Sequence, residues 1–184
     1  MRLCVLCVNL KPYKNERDNL LFTVLMTGTV FAQIKLTPTE SFMISGKVNK
    51  EKTITIAALD TFKIISIDDV AMQGAKGEVK EKVKNLKGVL LKDLFQGVQF
   101  KTENKKDLNR FFLILSATDG FKLVLSWNEV FHAKSCTNIF ILTEKDGKKG
   151  KELVDRILVI AVDDAKNGHE RVKALQQITV EKVK

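Results

Sequence analysis

The chain has 184 residues, 45% of them hydrophobic, so it can bury the core of one domain and is too short for two full enzyme domains. The formal net charge is +9, but basic residues are interspersed with acidic ones, and one Trp and one Tyr offer little aromatic surface for base stacking. This composition argues against a nucleic-acid partner and favours a solvated basic surface that suits anionic small molecules.

The first 32 residues predict an export signal. Lys11, Lys14 and Arg17 precede the apolar run LLFTVLMTGTVFA, which spans residues 20–32 and ends before Gln33. Positive residues, a short apolar core and a small residue at its end are the three parts of a secretory signal peptide. Because the run is shorter than the roughly 20 residues that span a bilayer, we expect cleavage and no membrane insertion.

Cleavage after this run divides the chain into three parts. We expect a signal peptide over residues 1–32 that is removed, a tether over residues 33–40, and a single periplasmic or secreted domain over residues 41–184. The alternative is a buried N-terminal helix or strand. The sequence TGT at residues 27–29 disfavours a helix, because it interrupts any apolar face.

The three cysteines do not have the spacing of a metal site. Cys4 and Cys7 form a C-x-x-C inside the leader, and Cys136 stands alone. A single C-x-x-C without a second pair or nearby histidines is a poor zinc site. We therefore predict no metal site, and we do not expect Cys136 to be a metal ligand.

Alternating apolar residues predict strands in the first half of the proposed domain. The segments FMISGKV, TITI and KIISIDDVAMQ show this alternation, and residues 57–62 fit a short helix or turn. In the third segment, strict alternation would place Ile65, Ile67 and Asp69 on one side and Ile64, Ser66, Asp68 and Val70 on the other. The polar residues 74–84 that follow predict a loop or hairpin tip.

The next two segments predict a helix and a central strand. LKGVLLKDLFQGV spaces Val89, Leu90, Leu94 and Phe95 as on the inner face of a helix, which Gly97 would end. RFFLILSA is an uninterrupted apolar run, which is typical of a strand buried on both faces.

The last third contains one capped helix among short strands. In FKLVLS, the residues Phe121, Leu123 and Leu125 share one face, and Ser126 with Glu129 forms the S-x-x-E capping box of a following helix. NIFILTE, RILVIAV and QQITV predict three more strands. Short strands, Asp-Gly turns and a few short helices predict an α+β domain built on a mixed, mostly antiparallel sheet.

Seven segments in this order resemble the oxidoreductase molybdopterin-binding domain, which has the sulfite oxidase fold. They are FMISGKV, TITIAALDTF, LKGVLLKDLF, DGFKLVLSWNEVF, the strand with EKDGK, RILVIAVDD and KNGHERVKALQQITV. The resemblance covers nearly everything from Ser41 to Val180. It implies a sulfite-oxidase-like α+β fold and a molybdopterin cofactor.

The resembled family also defines what this sequence lacks. Members that do redox chemistry hold molybdenum through a cysteine thiolate on a loop after an early strand, because a soft sulfur donor sets the electronics of the metal. The corresponding region here, after VAMQ, contains GAKGE, and no cysteine occurs between Cys7 and Cys136. We therefore assign no catalytic residue.

The segment DDAKNGHERVK, residues 163–173, is the candidate cofactor-binding site. In the resembled family, the loop between the last two strands helps to hold the anionic pterin. The corresponding residues here are Lys166, Gly168, His169, Arg171 and Lys173. Cations around free N–H groups of a glycine turn favour an oxyanion. The alternative is a polar loop in which Arg171 pairs with Asp163 or Asp164.

The two histidines support no further chemistry. His132 and His169 lie on distant segments without Asp, Glu or Cys at ligand spacing, so neither a metal site nor a Ser-His triad is indicated. We expect both histidines at the surface.

Three hypotheses of function follow. The favoured one is an exported pseudoenzyme, a binding module for an anionic pterin-like ligand or a protein partner. The second is a genuine molybdopterin-dependent oxidoreductase, or its subunit, that works without the usual cysteine. The third is a purely structural interaction domain whose pocket has closed.

Overall fold

A computed structural model describes residues 36–74, 76–132, 137–163 and 167–184. Within these residues, short strands dominate, and the helices are brief. The strands are β1 (Ser41–Gly46), β2 (Lys52–Thr55), β3 (Ile64–Gln73), β4 (Val79–Leu90), β5 (Phe111–Ala117), β6 (Lys122–Ser126), β7 (Thr137–Lys145), β8 (Lys148–Lys149), β9 (Val159–Asp163), β10 (Asn167–Val172) and β11 (Leu175–Lys182). The helices are α1 (Ile56–Leu59), α2 (Trp127–Phe131) and 3-10 helices at Leu91–Phe95, Lys105–Arg110 and Gly150–Glu152.

The strands form two mixed sheets. The five-stranded sheet has the order β2-β1-β11-β5-β6, with β1 and β11 parallel. The six-stranded sheet has the order β4-β3-β10-β9-β7-β8, with β10 and β3 parallel. Since β4 also pairs with β7, the strands β4, β3, β10, β9 and β7 close on themselves, and we call them the closed ring.

The predicted α+β class is wrong, because the described chain is dominated by its two sheets. The two α-helices have four and five residues, so neither can cover a sheet face in the way an α+β domain requires. Segments predicted as helix or loop instead pair as strands. The prediction of one dominant sheet is wrong as well, since there are two.

Residues 74–98 account for much of this difference. The segment 74–84, predicted as a loop or hairpin tip, contains the tip of the β3–β4 hairpin and then the start of β4, which runs from Val79 to Leu90. The predicted helix over residues 86–98 is the end of β4 followed by a 3-10 helix at Leu91–Phe95. Gly88 allows β4 to pair closely with β7 at this point, because a Cβ at position 88 would lie 2.8 Å from the carbonyl oxygen of Ile141 on β7.

The alternation predicted for β3 is broken by an irregularity. Asp68 has a φ of 62°, and the register with β4 shifts on both sides of it. The buried residues are consequently Ile67, Val70 and Met72, which do not share one period-two face. A bulge inserts a residue and turns the following side chains to the other face of the sheet.

Buried apolar side chains form two clusters. One cluster, which includes Val70, Met72 and Ile160, lies on the strands of the closed ring. The other includes residues of both sheets, such as Leu113 of β5 and Val159 of β9, and so joins the five-stranded sheet to the ring. Trp127 of α2 belongs to this second cluster, with its ring centroid 4.7 Å from that of Phe100.

Two local predictions for β5 and α2 agree with the structure. β5 lies inside its sheet between β11 and β6; Leu113 and Leu115 are fully buried, while Phe112 and Ile114 are partly buried. Ser126 and Glu129 form the predicted capping box at the start of α2. Phe121, expected on the buried face of β6, precedes that strand and is 51% exposed. Among the described residues, no helix has the length and hydrophobicity needed to cross a membrane.

Candidate functional site

The segment predicted to be a ligand-binding loop is in large part a strand. β10 covers Asn167–Val172 and pairs with β9 on one side and β3 on the other. Asp163, the last residue of β9, is hydrogen-bonded to the first residue of β10. Its carboxylate accepts hydrogen bonds from the backbone N (2.7 Å) and the Nδ2 (3.0 Å) of Asn167. Backbone N–H groups that pair with a neighbouring strand are not available to an anion.

Gly168 is not an open approach for a ligand. It is buried opposite Val162 of β9, and a Cβ at this position would lie 2.5 Å from Cγ1 of Val70 and 2.7 Å from Sδ of Met72. Both neighbours belong to the apolar cluster of the closed ring. The glycine therefore serves the close packing of β10 against β3.

Of the two predicted lysines, Lys173 alone lies within the described residues. Lys166 lies outside the described residues. The Nζ of Lys173 lies 3.4 Å from the carboxylate of Asp155, so its charge is already paired. Cys136, which we do not expect to be a metal ligand, also lies outside the described residues.

His169 and Arg171 remain as accessible polar side chains of β10. His169 is half-buried and pairs in register with Ala161 of β9. Arg171 is exposed and sits at a register shift between Glu170 and Val172. Such a shift changes the direction of the side chain, and here Arg171 lines a cleft. His132, predicted at the surface, is exposed.

This cleft lies between the edge of the five-stranded sheet and the closed ring, and its volume is about 250 Å³. We call it the Arg171 cleft. Its lining is mostly apolar and comes from β6, α2, β7, β9 and β10. The lining residues are Leu123, Val124, Leu125, Glu129, Ile139, Ala161 and Arg171.

The two charged groups of the cleft differ in their partners. Glu129 Oε2 accepts a hydrogen bond from the backbone N of Ser126 at 2.6 Å, so this carboxylate is engaged in capping α2. Arg171 makes no ion pair or hydrogen bond with its side chain among residues 36–74, 76–132, 137–163 and 167–184. The predicted alternative of a pair between Arg171 and Asp163 is absent there, and Asp164 is not described. The guanidinium, which lines the cleft together with apolar side chains, is therefore available to an anion.

The apolar part of the cleft could not be located from the sequence. Leu123 and Leu125 were predicted to share a face of β6, but Ile139 and Ala161 lie on strands that meet them only in the folded chain. Val124, on the other face of β6 by alternation, is 58% exposed. The one available signal was the alternation in FKLVLS.

The residues after β3 do not supply the donor that molybdenum requires. The turn from Gly74 to Glu78 has no thiol, and its Gly74 N donates to the carbonyl oxygen of Glu78 at 2.8 Å. Across the described residues, His, Cys, Asp and Glu side chains nowhere gather in a group of three that could hold a metal ion.

Comparison with known proteins supports a distant likeness in fold. No family model and no curated protein sequence matches the chain. The solved structures that do match include the sulfane dehydrogenase SoxCD from Paracoccus pantotrophus, with a TM-score of 0.52 and 14% sequence identity. The match covers 80% of this chain and 40% of that one.

At this identity the likeness concerns the fold alone. The described fold is distantly similar to part of this dehydrogenase, which supports the resemblance of the sequence segments only at the level of the fold. The chain spans about 40% of the length of the dehydrogenase. The activity of that larger protein therefore says nothing direct about this chain.

Proposed function

We propose that this chain is a non-catalytic binding module that holds a small anionic ring compound, of the pterin kind, in the Arg171 cleft. The observation that carries the proposal is the exposed guanidinium of Arg171, which has no partner among the described residues and lies beside an apolar wall. A ligand with a flat apolar body and one anionic group satisfies both features.

The size of the cleft limits the ligand. Its volume of about 250 Å³ lies below the range of roughly 300–1,000 Å³ that is usual for drug-sized ligands. A bicyclic ring with one carboxylate is therefore the expected scale. His169, half-buried on the same strand, is the second polar group we assign to the ligand, because it pairs in register with Ala161 of the cleft.

The metal-bearing form of molybdopterin does not fit the described residues. Its thiolate ligand has no counterpart in the turn after β3, and Gly168, which should approach the pterin, is packed against Val70 and Met72. We therefore propose no redox step. An acidic side chain of a partner protein is the competing occupant of the cleft.

Binding of pterin-6-carboxylate, measured by fluorescence titration, tests the proposal. We expect Arg171→Ala to weaken binding by about tenfold or more, because a hydrogen bond to a charged group contributes about 1.5–3 kcal/mol. Lys105→Ala is the matched control, since Lys105 is exposed, does not line the cleft, and has a charge that solvent and salt screen. The uncharged parent pterin should bind wild-type protein and Arg171→Ala equally.

Three results would contradict the proposal. Equal loss of binding in Arg171→Ala and Lys105→Ala would mean that only the net charge matters. Absence of binding by wild-type protein would favour a partner protein or a closed pocket instead. Stoichiometric molybdenum in protein from a host that makes the cofactor would favour the oxidoreductase hypothesis.

We also propose that the module is exported. The support is the composition of residues 1–32, which lie outside the described residues. N-terminal sequencing of protein from the periplasm or medium should begin near Gln33. An intact leader on that protein would contradict the proposal.

A further inference from the structure

Arg156, which lines a second cavity, has a buried side-chain nitrogen whose hydrogen-bonding capacity is unused. The Nη1 of Arg156 is sealed from solvent and has no hydrogen-bond partner within the described part of the chain. Buried guanidinium nitrogens are normally satisfied, so one without a partner calls for an explanation, for which a water, an ion or a ligand each suffices. Arg156 borders a cavity of about 140 Å³, which we call the Arg156 cavity.

The lining of the Arg156 cavity is suited to an anion. Thr143 of β7 provides a hydroxyl, and Lys149 of β8 provides a second cation. Lys149 lies 3.5 Å from Glu144, but its side chain is 70% exposed and can turn toward the cavity. Asp60 is the one carboxylate in the lining, so Arg156 and Lys149 outnumber it. Ile56 and Leu59 of α1 close the apolar side.

The backbone of Arg156 gives an independent sign of function. Its φ of 52° lies in the left-handed region, where glycine or asparagine is favoured and arginine is strained. The position is nevertheless held firmly. The backbone N of Ala174 donates to the carbonyl of Asp155, and that of Leu175 donates to the carbonyl of Ile157, on either side of Arg156. The backbone of Arg156 is thus strained and held by its neighbours, and its side-chain nitrogen has no hydrogen-bond partner among the described residues. Strained residues that are held in this way cluster at binding sites.

We propose that the Arg156 cavity is a second binding site, which takes a small oxyanion against the guanidinium of Arg156. The ligand class is phosphate or sulfate, or the carboxylate of a larger molecule, because each offers oxygens in the geometry of the guanidinium fork. A cavity of this size takes a group of several heavy atoms, since one of about 150 Å³ can hold benzene. The cavity shares no lining residue with the Arg171 cleft.

Thermal denaturation and calorimetric titration with inorganic phosphate, sulfate and acetate test this site, with chloride at equal ionic strength as the control. We expect phosphate and sulfate, or acetate if the site prefers carboxylates, to raise the Tm of the wild-type chain above its value in chloride. Arg156→Met should weaken binding about tenfold or more. Lys105→Met, which removes one positive charge from outside both the Arg156 cavity and the Arg171 cleft, should leave the response unchanged.

A second variant guards against misfolding of Arg156→Met. Arg156→Gly removes the guanidinium and accepts the left-handed φ without strain, so it should fold and lose the response. Asp60→Asn removes the competing carboxylate and should tighten phosphate binding roughly threefold. An unchanged or weaker affinity in Asp60→Asn would mean that the anion does not bind in this cavity.

The following outcomes would overturn the inference. One is that no anion raises the Tm above its value in chloride, and another is that Arg156→Gly keeps the full response. Loss of the response in Arg171→Met alone would place the anion in the Arg171 cleft. This last result separates the Arg156 site from the proposed function, which can stand or fall independently.

Discussion

Where β4 meets β7, lysine side chains form ion pairs with a carboxylate. The Arg171 side chain, which lines the Arg171 cleft, forms no ion pair with the described residues. Glu144 of β7 receives Lys87 Nζ at 3.0 Å and Lys149 Nζ at 3.5 Å. The hydrogen bond from Lys87 is the main reason why the pKa of Glu144 lies below its ordinary value, despite the opposing effect of burial. Arg171, by contrast, has no charged or hydrogen-bonding partner in the described ranges.

This difference separates cations that form ion pairs within the fold from cations that have no partner there. Lys87, which donates a hydrogen bond to the buried carboxylate of Glu144, contributes to stability, and its charge is not available to a ligand. An exposed arginine without a partner contributes little to stability, so its location beside an apolar cleft calls for another explanation. The same reasoning distinguishes Lys173 from Arg171, although the two are close in sequence.

Gly168→Ala should have the largest effect on stability. The added Cβ would lie 2.5 Å from Cγ1 of Val70 and 2.7 Å from Sδ of Met72, so the packing of the closed ring must shift. We expect the free energy of unfolding to fall by about 1–3 kcal/mol in urea denaturation. Adding Val70→Ala should restore part of the loss. If Gly168→Ala instead lost ligand binding with unchanged stability, Gly168 would belong to the binding site.

Glu144→Gln should lower the free energy of unfolding by less than Gly168→Ala does, and the loss should disappear at acidic pH. Because the pKa of Glu144 is lowered in the folded state, its contribution is complete above the ordinary glutamate pKa of about 4.3 and is lost as pH falls through the lowered folded value. The difference in Tm between wild type and variant should therefore shrink on acidification. A difference that stays constant between about pH 7 and pH 3 would contradict this role.

Lys173→Met should have a smaller effect still. Its ion pair with Asp155 is partly exposed, with the Lys173 side chain at 44% exposure. Such pairs are worth about 0–1 kcal/mol, and salt screens them. Urea denaturation at low and high salt should show the difference mainly at low salt. Ligand binding in the Arg171 cleft should not change, and a tenfold loss would show that Lys173 contacts the ligand.

Arg171→Ala should change stability least. With no partner to lose among the described residues, the free energy of unfolding should move by no more than about 0.5 kcal/mol, as in Lys105→Ala. A clear destabilisation of Arg171→Ala alone would give the arginine a structural role. It would also remove the contrast with the paired lysines, on which the proposed function depends.

Local patterns in the sequence predicted much of the strand content. The alternation in FMISGKV, the apolar run of RFFLILSA and the capping box at Ser126 and Glu129 all correspond to elements of the structure. Each depends on residues that are neighbours along the chain. The helix predicted over residues 86–98 failed because spacing alone cannot show that β7 approaches Gly88.

The fold places the described residues of the predicted site in different surroundings. Among the five named residues, Arg171 lines the cleft and His169 lies on the adjoining strand, whereas Gly168 and Lys173 serve the fold. The segment NGHERV has poor strand propensity, so its strand could not be predicted. It becomes a strand because β3 and β9 offer hydrogen bonds on both sides.

The sequence by itself determined the charge, the strand-rich pattern, the missing thiolate between Cys7 and Cys136, and the presence of cations near the last strand. The tertiary structure decided which of those cations are used within the fold, because ion pairing joins residues far apart in the chain, as with Lys87 and Glu144. It also decided where the cavities lie. No pattern in the sequence distinguishes Arg156, because an unsatisfied guanidinium and a left-handed φ are properties of the folded chain alone.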